Sequence, residues 1–131
     1  MHTSYSLSVY AIPVAVASLL VLSFGVSLVV RKRTPVTLSF FSITTAVAIW
    51  LSTFTMMYLS RDAAVALQWA KLAYFGVPLI APAIYQFAVE VLQIRHRRRG
   101  VILAGWLIGA AASVTALSTD LLVSGVRHYW W

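Results

Sequence analysis

Long runs of apolar residues, separated by short polar segments, dominate the pattern of this sequence. Residues 3–30 contain no Asp, Glu, Lys or Arg, and the best candidate for a membrane span within them is 10–30. The next uncharged run gives a second span at 36–59, and Pro35 before it suits the first turn of a helix. A helix rises about 1.5 Å per residue, so roughly 20 residues cross the hydrocarbon of a bilayer. The first half of the chain therefore predicts two membrane-spanning helices.

The second half predicts two more helices, one of them unusually long. Residues 62–94 form a continuous helical pattern, with Ser60 or Asp62 as the N-cap, a membrane part at 72–92 and a helical extension from 62. Gly76, Pro78 and Pro82 fall inside it, and we expect a kink there because each proline removes one backbone hydrogen bond. The fourth span covers 101–117. The predicted fold is a single all-α domain over 1–131, an integral membrane four-helix bundle.

Composition supports a membrane protein and excludes other classes. The chain of 131 residues is 61% hydrophobic and only 10% charged, whereas soluble domains average about 25% charged residues. Its net charge of +7 comes mainly from two clusters beside apolar runs, which fits anionic lipid headgroups and not nucleic acid. Cysteine is absent, so disulfides and iron–sulfur sites are excluded. A cleavable signal peptide is disfavoured, because no Lys or Arg precedes the first run.

The two basic clusters also predict orientation. Connections rich in Lys and Arg are retained in the cytoplasm, so the first-to-second and third-to-fourth connections should lie inside. Both termini then lie outside, and the protein is expected to be a multi-pass membrane protein. The residues that set this topology and would contact headgroups are Arg31, Lys32, Arg33, Arg95, Arg97, Arg98 and Arg99.

Most of the candidate functional residues are aromatic. Glu90 is the only carboxylate in a predicted span, and it either pairs with Arg97 or Arg98 at the interface or serves a proton relay or ligand. The aromatic residues either anchor the helices at the membrane interface or line a ligand pocket between them. The full set of pocket candidates is Trp50, Tyr58, Trp69, Tyr74, Tyr85, Glu90 and Trp106.

Small residues predict where the helices pack. Gly105 and Gly109 form a small-xxx-small pattern in the fourth span, which allows close approach of another helix of the same chain or of a homodimer partner. His2, His96 and His128 are scattered, so neither a metal site nor a cofactor is expected. No nucleophile–base pair or phosphate-binding loop is present, and we expect no enzymatic activity from this segment.

Several motifs, most of them in the second and third spans, carry a family resemblance. They are Ala48-Ile49-Trp50-Leu51, residues 67–76, Pro78, Pro82, Tyr85-Gln86-Phe87, residues 118–120, His128 and the final Trp pair. With these motifs the chain resembles the seven-transmembrane N-terminal sensory region of bacterial sensor histidine kinases, which also occurs on some diguanylate cyclases. The resemblance implies a receptor region in the bacterial inner membrane, with about three more spans and a cytoplasmic effector. Met56-Met57-Tyr58 departs from an acidic residue often seen there in the family.

Three functions remain open at this point. The resemblance favours a membrane-embedded signal-input module that couples to a cytoplasmic effector. A second possibility is a small structural subunit of a larger membrane complex, because no chemistry is evident. A transporter would need polar lining, for which only Thr44, Thr45, Ser52 and Glu90 are available.

The orientation is testable with reporter fusions. A reporter fused after Arg99 should lie in the cytoplasm, and a reporter fused after Trp131 should lie outside it. The two differ because one further helix separates the two positions. Activity of both reporters in the same compartment would contradict the predicted topology.

Overall fold

Four α-helices account for almost all of the described chain. The computed structural model describes residues 8–118, and within that range it contains α1 Ala11–Arg31, α2 Pro35–Leu59, α3 Ala63–Val91 and α4 Arg95–Ser118. All four are long and apolar enough to cross a membrane. The prediction of an all-α protein with four membrane-spanning helices is thus confirmed.

The helices contact one another in chain order. α1 packs on α2, α2 on α3 and α3 on α4, and no other pair of helices within residues 8–118 brings Cα atoms within 8 Å. α2 and α3 therefore each have two neighbours, whereas α1 and α4 each have one. Three-residue connections make successive helices antiparallel.

Aromatic contacts place both basic clusters at the same end of the molecule. Phe40, near the start of α2, lies 6.2 Å from Phe24 of α1 and 5.8 Å from Phe87 of α3, measured between ring centroids. The turn after α1 and the turn after α3 therefore lie at one level along the helix axes. We call this the basic end; its side of the membrane remains a prediction.

The interior of the described part is built from small side chains. Its buried hydrophobic residues are eight alanines and one valine, Val89, while many Leu, Ile and Val side chains point outward. A soluble protein shows the reverse distribution. Because lipid is as apolar as leucine, membrane helices gain little by burying large apolar side chains and associate through close backbone approach.

Local sequence explains where each helix begins. Thr34 and Thr37 form a capping box at the start of α2, with Pro35 in the first helical position. Asp62 is the N-cap of α3: its carboxylate accepts a hydrogen bond from the Ala64 N–H at 3.0 Å. Of the two caps considered from sequence, the structure uses Asp62 and not Ser60.

The second basic cluster lies in a helix and not in a connection. Residues 101–117 were predicted for the fourth span, but α4 begins six residues earlier, at Arg95. Arginine is a good helix former, so the cluster continues the helix towards its N-terminus. The predicted third helix correspondingly ends at Val91 and not at residue 94.

The turn between α3 and α4 is a Schellman motif without glycine. The Ile94 N–H donates to the Val89 carbonyl and the Gln93 N–H to the Glu90 carbonyl, at 3.1 and 3.2 Å. Gln93 has a φ of 56°, in the left-handed region that glycine usually occupies here. A residue with a Cβ pays an energetic penalty in this conformation.

We predict that Gln93→Gly stabilises the hairpin of α3 and α4 by about 1 kcal/mol, because glycine removes the left-handed penalty. Reversible unfolding in mixed micelles with increasing SDS measures the change. Gln93→Val is the opposing variant and should destabilise, since a β-branched residue tolerates positive φ least. Equal stability of the three proteins would contradict this account of the turn.

Candidate functional site

The most closely packed region of α3 and α4 joins two prolines to two glycines. Pro82 of α3 is buried and lies opposite Gly105, where an added methyl group would sit 3.5 Å from the Pro82 Cβ. At Gly109 a methyl group would sit 2.9 Å from the Pro78 carbonyl oxygen and 3.2 Å from the Pro82 Cγ. Gly109 thus has no room for a Cβ, while Gly105 has ordinary contact distance.

This contact covers a backbone carbonyl that has no helical partner. Pro82 has no N–H, so the Pro78 carbonyl four residues earlier cannot make its usual bond within α3. In lipid, a freed carbonyl needs shielding or a partner from a neighbouring helix. The bare backbone of Gly109 lies against this carbonyl. The structure assigns α3 as one continuous helix through both prolines, and the kink at Gly76, Pro78 and Pro82 remains a prediction.

Two side-chain hydrogen bonds flank the proline–glycine contact. On one side the fully buried Ser113 hydroxyl lies 2.7 Å from the Phe75 carbonyl of α3 and 2.9 Å from the Gly109 carbonyl of its own helix. On the other side the Trp106 indole N–H donates to the Gln86 side-chain oxygen at 2.8 Å. Each bond is worth only about 1 kcal/mol in a membrane. Together they fix the register of α4 on α3.

Ser113 and Gln86 were not among the predicted site residues. A serine within a small-residue helix face is a recognised signal for interhelical hydrogen bonding. The sequence does not say which carbonyl it meets, because that depends on the register of two helices. Gln86 was noted only as part of the family resemblance.

An open groove lies beside the same contact. It has a volume of about 330 Å³ and runs along the outside of the α3–α4 pair. Of the predicted pocket residues, Tyr85 lines this groove. The remaining lining residues are apolar or small: Pro78, Ala81, Pro82, Val101, Gly105, Ile108, Gly109 and Ala112.

None of the other aromatic candidates lines this groove. Trp50 stacks edge-on against Phe54 at 5.5 Å, and Phe54 lies 6.4 Å from Tyr58, so these rings follow one another along α2. The Trp50 Cβ also faces Gly76 of α3. Trp69 and Tyr74 lie in the first half of α3, and Tyr58, Tyr74 and Tyr85 are each at least one-third exposed. Their role in a ligand pocket stays a prediction.

Glu90 is buried at the basic end and pairs with a different arginine from those predicted. Its Oε1 lies 3.0 Å from the Arg95 Nη1, whereas Arg97 or Arg98 was expected. The reason is the Schellman turn, which ends α3 at Val91 and brings the first residue of α4 back over its last turn. Glu90 is 7% exposed and Arg95 52% exposed, so the pair extends from the helix contact to the surface of the protein.

Polar residues in α1 and α2 serve helix association. The Ser18 hydroxyl of α1 lies 3.0 Å from the Ala48 carbonyl and 2.8 Å from the Ser52 hydroxyl of α2. The Thr44 hydroxyl donates to the Phe41 carbonyl of its own helix at 2.9 Å, and its side chain fills the space over Gly25. Two of the residues considered for a transport path are therefore engaged in packing.

The remaining predictions concern chemistry. Among residues 8–118, no group of three or more His, Cys, Asp or Glu side chains is arranged to hold a metal ion. The polar groups described at the α3–α4 contact are backbone carbonyls, the Ser113 hydroxyl, the Gln86 amide, the Trp106 indole N–H and the Glu90–Arg95 ion pair. Such an arrangement positions helices relative to one another and does not provide a nucleophile with its base.

These features define a multi-pass helical membrane protein whose helices are held by close packing and interhelical hydrogen bonds. A family model described as the N-terminal 7TM region of histidine kinase matches residues 13–131. The chain belongs to that family, a non-catalytic sensory region. No curated protein and no solved structure matches the chain significantly.

We predict that Gly109→Ala destabilises the protein by about 1–3 kcal/mol, because the new methyl group forces α4 away from the Pro78 carbonyl. SDS-induced unfolding of the purified protein measures it. Gly100→Ala is the matched control in the same helix, since a methyl group there meets nothing within 4 Å. That variant should be neutral or gain up to about 1 kcal/mol from helix propensity. Equal effects at the two positions would refute the close contact.

Proposed function

We propose that this chain is the signal-input module of a bacterial sensor kinase and that displacement of α4 relative to α3 transmits the signal. Membership of the histidine kinase 7TM family is the observation that carries the proposal. A stimulus reaches such a module from outside the cytoplasm or from within the bilayer. The module itself performs no reaction, and the bacterial inner membrane is its expected location.

The contact between α3 and α4 is the best candidate for the moving part. It depends on one tight glycine, Gly109, two single hydrogen bonds and one ion pair. Each of these is a discrete interaction, and a shift of about 1 Å between the helices would break either hydrogen bond. Packed helices of this kind have distinct arrangements and do not deform continuously.

The side chains that would sense a stimulus are the aromatic ones. Trp50 and Tyr58 on α2, and Trp69 and Tyr74 on α3, lie towards the end of the molecule opposite the basic end. Tyr85 and Trp106 lie at the α3–α4 contact itself. An apolar or aromatic ligand that binds among the first four would press on α3 near Gly76, which faces Trp50. It would thereby act on the segment of α3 that carries Pro78 and Pro82 against α4. The chemical identity of the ligand is left open by this proposal.

The test uses the complete product of the gene in inverted membrane vesicles, with autophosphorylation from labelled ATP as the readout. Gly109→Ala and Gly109→Ser should both change the phosphorylation rate by about fivefold or more, because coupling energies between sites are usually 1–3 kcal/mol. Both variants should change it in the same direction, since both push on the same carbonyl.

Gly100→Ala is again the control and should leave the rate unchanged at equal protein level. Two results would refute the proposal. One is a gene product that carries no phosphohistidine under any condition. The other is a phosphorylation rate that none of the α3–α4 contact variants alters.

A further inference from the structure

We propose that the exposed arginines at the start of α4, Arg97, Arg98 and Arg99, form a binding surface for anionic phospholipid headgroups. The surface is distinct from the sensory function proposed above and does not depend on it. Its basis is the charge balance of the basic end and the helical geometry of the cluster.

The basic end carries far more positive charge than the chain can neutralise. Seven of the ten Lys and Arg residues lie there, in the segments 31–33 and 95–99. The whole chain has three acidic residues. Asp62 caps α3 at the opposite end, Asp120 lies outside the described residues, and Glu90 is committed to Arg95. Among residues 8–118, no carboxylate remains at that end to pair with the other cations.

The geometry of α4 turns this excess charge into a surface. Arg97, Arg98 and Arg99 are all exposed and follow one another in a regular helix. Successive residues of a helix are rotated by about 100° and displaced by about 1.5 Å, so the three arginine side chains leave the helix at nearly one level and on different sides. A layer of phosphates at the membrane boundary presents acceptors at one level too. Guanidinium groups bind phosphate oxygens in pairs of parallel hydrogen bonds.

The first basic cluster, residues 31–33, is a control with the same number of positive charges but a different position in its helix. Arg31 lies in the last turn of α1 and Lys32 is its C-cap. Cations there are already favoured by the free carbonyls and the negative end of the helix dipole. The first turn of α4 has no acidic residue, and Ile94 before it has no side-chain acceptor. The α4 cluster therefore has the greater need for an external anion.

The experiment places the full chain in nanodiscs of phosphatidylcholine mixed equally with phosphatidylglycerol and counts retained lipids by native mass spectrometry. The wild-type protein should retain phosphatidylglycerol in preference to phosphatidylcholine. Each cation near an anionic leaflet contributes about a fivefold gain in affinity, so R97Q/R98Q/R99Q should weaken retention by up to about a hundredfold. R31Q/K32Q/R33Q removes the same number of charges and should have a smaller effect.

Two further measurements keep the result interpretable. R97K/R98K/R99K keeps the charge and should preserve most of the retention, which separates loss of charge from misfolding. The chain has no cysteine, so a single Cys at Arg61, labelled with a membrane-impermeant maleimide, checks that each variant keeps its topology.

Three results would overturn the proposal. The first is equal retention of phosphatidylglycerol by the wild type and by R97Q/R98Q/R99Q. The second is an equal loss in R31Q/K32Q/R33Q, which would show that charge alone matters and not the α4 surface. The third is complete displacement of the lipid by inorganic phosphate, which would show a site for a free anion.

Discussion

Close approach of backbones is the constraint on which this structure depends. In hydrocarbon, burying leucine against leucine gains little, so helices stay together only where small residues let them touch and where polar groups meet. The interior of the described helices is accordingly alanine, glycine, serine and threonine, with Val89 as the largest buried apolar residue. The large apolar side chains face outward, where the bilayer replaces the core that a soluble protein would need.

The same constraint explains how the prolines of α3 are tolerated. Pro82 leaves the Pro78 carbonyl without its helical donor, and an exposed carbonyl in lipid is costly. Gly109 brings the backbone of α4 against that carbonyl, while Ser113 bonds the neighbouring Phe75 carbonyl. A part of α3 that lacks a helical hydrogen bond is thus covered by α4. The contact holds the two helices together, and a displacement of α4 would disrupt it. We therefore propose that this contact transmits the signal.

At the basic end, charged side chains determine the contacts of the same two helices. The Glu90–Arg95 pair closes the α3–α4 turn, and it leaves Arg97, Arg98 and Arg99 for the lipid surface that we propose. Because these residues lie in a helix, the positions of their Cα atoms are fixed relative to one another. One helical hairpin therefore links a tight apolar contact in the bilayer to a charged surface at its boundary.

Sequence alone determined the number and approximate positions of the helices, because uncharged runs of this length have no other stable environment than a bilayer. It also pointed to the family through the Trp50, Tyr74-x-Gly76 and Pro78 pattern, which the match to residues 13–131 bears out. Only the tertiary structure decided that Glu90 meets Arg95, that Ser113 meets Phe75 and that Gly109, unlike Gly105, has no room for a methyl group. These depend on where α3 ends and on the register between two helices. Periodicity fixes neither, since a shift of one turn leaves the apolar pattern unchanged while it exchanges every contact.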